Sequence, residues 1–150
     1  MPTDSYLSYL PLPHILERIA VSTFMYSGGC IGFYRGDTRT LKDDLALLKP
    51  TTFASVPRVY NKFYDLIKSK FDAATGISAW LIKKGLATKI ENAKKGIFTH
   101  ALWDKLVFNK VRDALGGNVR YAVVGGAPIS GEVLTFLRAV LCAPIQEGYG

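Results

Sequence analysis

The residues of this chain that could do chemistry concentrate in two glycine-bearing segments and one histidine. Tyr121-Ala122-Val123-Val124-Gly125-Gly126-Ala127-Pro128-Ile129-Ser130 reads as a strand, a glycine turn and a helix start. In open parallel sheets, ligands bind beyond the carboxyl ends of strands. Paired glycines let a flat ring or a phosphate approach the backbone, and a helix N-terminus adds partial positive charge. The same ten residues also fit a plain tight turn. Glu147-Gly148-Tyr149-Gly150 sets a tyrosine between glycines, which frees its ring to lie against a flat ligand. His14 follows Pro13 and opens a helix that carries Glu17 and Arg18. A single histidine without a serine, cysteine or metal partner is more often structurally satisfied than catalytic. His100 reads as structural.

Other chemistries lack their patterns. Neither the dinucleotide fingerprint GxGxxG nor the phosphate loop GxxxxGK[ST] occurs, and neither do GxSxG or HExxH. The two cysteines, Cys30 and Cys142, lie far apart with no CxxC or Cys/His cluster, so no zinc site is expected. They fit a reduced, intracellular compartment. No metal ligand set is assigned.

The 150 residues are 49% hydrophobic and could bury a core. The net charge is +7, and nearly all of the excess falls between Arg58 and Lys95, where nine basic residues face three acids. A lysine-rich, solvated helix face is the plain reading; an anionic membrane surface or substrate is the functional one. Nucleic acid is disfavoured, because lysine dominates over the arginine forks that phosphate recognition prefers. The charge-free stretch Ile19 to Tyr34 is shorter than the roughly 20 residues a spanning helix needs, and glycines interrupt it.

The elements that would position these residues alternate. A short extended segment precedes Pro11 and Pro13. A helix from Ile15 to Tyr26 follows, with Ile15, Leu16, Ile19, Ala20, Thr23 and Phe24 on one face. Cys30 to Tyr34 reads as a buried strand. Thr40 and Asp43 are spaced as in a capping box before a helix bearing Leu41, Leu45 and Leu48. Phe53 to Val56 is the next strand. Arg58 to Ala74 is amphipathic through Tyr60, Phe63, Tyr64, Ile67 and Phe71. Helices over Ile77 to Ala93 and Trp103 to Leu115 follow. Val119 to Val124 is a strand, Ser130 caps a helix through Leu141, and Pro144 to Glu147 is one more strand. Such alternation predicts an α/β fold with a mainly parallel sheet layered with helices. The helices over about residues 58–115 form an excursion from it.

Three segments together go further. Leu10-Pro11-Leu12-Pro13-His14-Ile15-Leu16-Glu17-Arg18, Val124 to Ser130, and Glu147-Gly148-Tyr149-Gly150 resemble, in order and spacing, the LPLxHxxER segment, the adenine-side loop and the EGYGxTE loop of long-chain fatty acyl-CoA synthetases. Gly32 to Asp37, Pro50 to Arg58 and Leu102 to Leu106 look like that family too, so the resemblance runs over nearly the whole chain. It implies a partial AMP-binding, adenylate-forming domain over residues 1–150. The family's phosphate loop would lie upstream, and its small C-terminal domain downstream.

The resemblance also implies a reaction: a fatty acid carboxylate attacks the ATP α-phosphate, and coenzyme A then displaces AMP. Gly125, Gly126, Ala127 and Pro128 would line the adenine pocket. Tyr149 would stack on adenine, with Glu147, Gly148 and Gly150 shaping its loop. His14 would lie near the acyl carboxylate. The ligands of the family's Mg²⁺ would lie outside this chain. The partners implied are a long-chain fatty acid, ATP and CoA, with a peripheral membrane surface such as the endoplasmic reticulum for the parent enzyme. Phe33, Phe53 and Val56 are candidates for an acyl channel. The 150 residues alone are expected not to turn over. The alternatives are a ligase for another carboxylic acid, or a non-catalytic basic module that binds anionic membrane.

Overall fold

A computed structural model describes residues 3–148. Five strands form one wholly parallel sheet: β1 Ser5–Ser8, β2 Cys30–Phe33, β3 Thr52–Ser55, β4 Tyr121–Gly125 and β5 Ile145–Gly148, in the spatial order β2-β1-β3-β4-β5. Helix α1 (Ile15–Ser27) connects β1 to β2, and α2 (Leu41–Leu48) carries the chain back across β1 to β3. The direction of winding therefore reverses, and the switch point lies between β1 and β3. Right-handed crossovers require helices of opposite winding to lie on opposite faces of the sheet. Accordingly, α1 packs on Tyr6 and Ala54 through Phe24, Leu16, Ala20 and Val21. The main core lies on the other face and includes Leu7, Phe53, Ala122, Val124 and Ile145.

The segment between β3 and β4 is helical. It contains α3 (Pro57–Asp72), α4 (Gly76–Lys94), α5 (Ala101–Trp103) and α6 (Asn109–Arg112). This excursion is anchored in the main core. Tyr60 and Ile67 of α3 are buried in it, and the Tyr60 hydroxyl donates to the backbone carbonyls of Phe53 and Val123, both at 3.2 Å. Burial pushes that phenol well above its usual pKa. Helix α7 (Gly131–Leu141) connects β4 to β5 and buries Leu134, Leu137 and Val140.

Several local expectations need correction. The face of α1 is rotated: Glu17 and Phe24 are buried, while Ile15 and Ile19 are about half exposed at 52% and 54%. Strand β2 is an edge strand, with Phe33 largely exposed, because β1 pairs with it on one side only. The Thr40 side chain does not cap α2. Its hydroxyl donates to the Asp37 carbonyl within a 3₁₀ turn, and Asp37 caps that turn. The helix expected over Trp103 to Leu115 is four short pieces, with a π-helical turn at Asp104–Phe108 and a 3₁₀ turn at Asp113–Leu115. A π turn widens the backbone and re-aims side chains, and here it turns both Asp104 and Phe108 inward.

The lysine-rich face is also only partly solvated. Lys83, Lys84, Lys94 and Lys95 are exposed, but Lys89 is completely buried. Its ammonium donates to Asp104 Oδ1 at 2.5 Å, to the Phe98 carbonyl, and to Cys142 Sγ at 3.1 Å. It also lies 5.6 Å from the centroid of the Phe108 ring. Burial alone would raise the Asp104 carboxyl, but the Lys89 bond and the His100 N–H hold it below its usual value. Burial pushes the Cys142 thiol up to about 11.

Removing one partner of a buried pair leaves an uncompensated charge. Lys89→Met should therefore cost about 3–5 kcal/mol in urea unfolding, and Lys89→Met/Asp104→Leu should recover part of that loss. Because the folded Asp104 pKa is depressed, its stabilisation is present at neutral pH. It should fade as the pH falls below the ordinary carboxylate value of about 3.9. In the native chain, iodoacetamide near pH 8 should modify the exposed Cys30 and spare Cys142 until unfolding.

Candidate functional site

The carboxyl ends of the strands gather the predicted residues. Parallel pairing sets Val124 opposite Glu147 and Gly125 opposite Gly148, so the two glycine segments run side by side. The approach is close: a Cβ on Gly125 would sit 3.2 Å from the Gly148 carbonyl oxygen and 3.7 Å from Leu16 Cδ2. Gly126 turns the chain with φ at +90°, a region side-chain-bearing residues rarely enter. Ala127 and Pro128 continue the turn with exposed side chains. Ser130 then caps α7, its hydroxyl accepting from the Glu132 N–H at 3.3 Å, as its residue type predicts.

His14 arrives from the other side of the sheet. It is the residue before α1, and its Nδ1 accepts from the Leu16 N–H at 3.3 Å. That bond leaves the proton of a neutral imidazole on Nε2. Nε2 lies 3.2 Å from where a Cβ on Gly126 would stand, and the Val56 side chain lies 3.9 Å from the same point. His14 and Gly126 are separated by 112 positions of sequence. They meet because β1, which leads to His14, and β3, which leads to Val56, flank the point where winding reverses. In open α/β sheets that point forms the ligand crevice.

Beneath the crevice lies a buried polar bond that the sequence reading missed. Tyr9 Oη and Ser55 Oγ are 2.5 Å apart, at the ends of β1 and β3. Burial pushes the Tyr9 phenol up to about 12, against the opposing pull of the Ser55 and Val56 bonds. Alternation along β3 carried the only available signal, since Ser55 falls on the face shared with Phe53. The structure does not unite the three acyl-channel candidates. Phe53 is a core residue stacked on Tyr9, Phe33 is on the exposed edge, and only Val56 borders the crevice. Val56 also lines a groove of about 470 Å³ with Leu10, Val59, Phe63 and Leu66, rimmed by Arg58 and Lys62. His100, read as structural from the sequence, caps α5, its Nδ1 accepting from the Trp103 N–H at 3.4 Å. Tyr149 and Gly150 lie outside the described residues. Among the described residues, no cluster of three or more His, Cys, Asp or Glu side chains could hold a metal ion.

A glycine crevice of this kind, at the switch point of a parallel sheet, defines a nucleotide-binding α/β domain. The AMP-binding enzyme family matches residues 1–150, and the chain belongs to that family. Over 150 residues it is 43% identical to "Long-chain-fatty-acid--CoA ligase 5" of Rattus norvegicus, which covers 99% of this chain and 22% of that protein. Over 154 residues it is 46% identical to "Long chain acyl-CoA synthetase 7, peroxisomal" of Arabidopsis thaliana, covering 99% of this chain and 21% of that protein. The chain thus spans about a fifth of the length of these curated relatives. Among solved structures, it is similar to the A domain of a carboxylic acid reductase from Segniliparus rugosus, in complex with AMP and a co-purified carboxylic acid. There the TM-score is 0.71 and the identity 28%, over 98% of this chain and 20% of that one.

Gly126→Ala puts a methyl group against His14 and forces a strained φ. It should destabilise the chain by about 1–3 kcal/mol in thermal or urea unfolding. Ala127→Ser, in the same turn with an exposed side chain, should change stability by less than about 0.5 kcal/mol.

Proposed function

We propose that this chain forms the adenine and acyl-carboxylate part of an ATP-dependent long-chain fatty acid–CoA ligase. The observation that carries the reading is the meeting of His14 Nε2 with Gly126, beside the paired Gly125 and Gly148. In the first step a carboxylate oxygen of the fatty acid attacks the α-phosphorus of ATP, and pyrophosphate leaves. In the second the CoA sulfur attacks the acyl carbonyl, and AMP leaves. Gly125, Gly126, Ala127 and Pro128 offer a flat backbone surface against which adenine lies. Glu147 and Gly148 run beside that surface on β5; the roles that the resemblance implies for Tyr149 and Gly150 fall outside the described residues.

His14 serves the first step. Carboxylate and phosphate are both negative, so the site must hold them together against repulsion. An Nε2–H fixed by the Nδ1 bond to Leu16 donates to the carboxylate in one orientation. Among the described residues no ligand set matches the Mg²⁺ that the family implies, and no step here depends on it. Long-chain acids are favoured as substrates over aryl acids by the names of the relatives. An intracellular location accords with the peroxisomal relative and with the two free thiols.

A second reading concerns α4. Trp80 and Ile77 are exposed at 57% and 79%, and the Lys84 ammonium lies 4.9 Å from the Trp80 ring centroid. With Lys83, Lys94 and Lys95 this face suits peripheral contact with an anionic membrane. No helix among the described residues is long and apolar enough to cross a membrane.

In a full-length ligase carrying this segment, His14→Ala should lower palmitate-dependent ATP–pyrophosphate exchange by about 10²-fold; unchanged exchange would remove His14 from the reaction. The 150-residue chain alone should form no acyl-CoA. Charge reversal at Lys83, Lys84, Lys94 and Lys95 should abolish its co-sedimentation with phosphatidylserine vesicles, while neutral vesicles should not bind in either case.

A further inference from the structure

Glu17 is the least expected residue on α1. Leu16, Ala20, Val21 and Phe24 make its buried face apolar, yet the glutamate among them is 1% exposed. Its carboxylate accepts from Tyr6 Oη at 2.7 Å and from Ser8 Oγ at 2.6 Å, both on β1. No ion pair to Glu17 occurs among the described residues. A buried carboxylate is costly unless its bonds are well made, and an apolar side chain would fill the same space without that cost. What the carboxylate adds is direction. Two hydroxyl bonds fix how far α1 is rotated about its axis and how far it slides along β1.

His14 stands three residues before Glu17, at the start of the same helix, so that rotation also sets the position of its ring. The tolerance there is small. A methyl group on Gly126 would stand 3.2 Å from Nε2, closer than ordinary contact, and productive constellations must be held within about 0.5 Å by the residues behind them. We infer that Glu17 is a positioning residue: through Tyr6 and Ser8 it locks the first turn of α1 onto β1 and holds His14 against the Gly126 turn. The inference rests on the proposed role of His14.

The test uses a full-length ligase carrying this segment, with Glu17→Gln, Ser8→Ala, His14→Ala and Glu17→Gln/His14→Ala. Glu17→Gln keeps the shape and one acceptor. It should lower kcat for ATP–pyrophosphate exchange by about 10-fold or more with KM for ATP within about twofold, and Ser8→Ala should lower it less. In the His14→Ala background, Glu17→Gln should cost no further activity, because its effect runs through the ring. Wild-type exchange in Glu17→Gln, or losses that multiply in the double variant, would overturn the inference. If Glu17→Gln does not fold, Ser8→Ala with and without His14→Ala decides in the same way: loss only when His14 is present supports the inference, and equal loss in both backgrounds overturns it. Full exchange in His14→Ala would instead overturn the reading of His14, an outcome distinguishable from the others.

Discussion

The parallel pairing of β4 between β3 and β5 is the constraint on which the candidate site depends. It aligns Ser55 with Val124 and Gly125 with Gly148, so every strand delivers its carboxyl end to one edge of the sheet. Parallel pairing needs long crossovers, and each crossover element occupies a face. The reversal of winding between β1 and β3 then separates α1 from the helices of the main core. The crevice is the gap that this separation leaves, and His14 reaches Gly126 across it. A slip of β4 by one residue would turn Val124 out of the core and move Gly125 away from Gly148.

Of the buried charged side chains, Lys89 and Glu17 hold this frame in place in different ways. Lys89 is paired with Asp104 and ties α4 to the π-helical turn and to Cys142 at the end of α7. Its work is done far from the crevice and bears on stability. Among the described residues Glu17 has neutral hydroxyl partners alone, and it lies one helical turn from His14. Net hydrogen-bond gains in folding are small, whereas an unsatisfied buried carboxylate is costly. Both groups therefore act mainly by excluding other arrangements of the helices they carry.

Much of this was legible in the sequence where the signal is local. The Gly125-Gly126 turn, the Ser130 cap and the amphipathic face of α3 follow from residue types at short spacing, and the structure has them. The alternation of strands and helices also led directly to the parallel sheet. What could not be read was set by distant partners. The rotation of α1 depends on hydroxyls of β1, so apolar spacing alone wrongly placed Ile15 and Ile19 inside. Strand β2 has the apolar run of a central strand but lies at the edge, which only strand order reveals. Lys89 looks like its solvated neighbours until Asp104 is found beside it. The meeting of His14 with Gly126 joins residues that no periodicity connects, and the resemblance of three ordered segments brought them into one site. Tyr149, assigned to the adenine wall on the same resemblance, lies outside the described residues.

The central claim is that adenine and the acyl carboxylate meet between His14 and the Gly125–Pro128 turn. A crystal structure of a full-length ligase carrying this segment, bound to a non-hydrolysable acyl-adenylate analogue, tests it most directly. The account predicts the adenine ring against the backbone of Gly125 to Pro128, and the acyl carbonyl oxygen within hydrogen-bond distance of His14 Nε2. An analogue bound elsewhere, or with its acyl carbonyl turned away from His14, would contradict it.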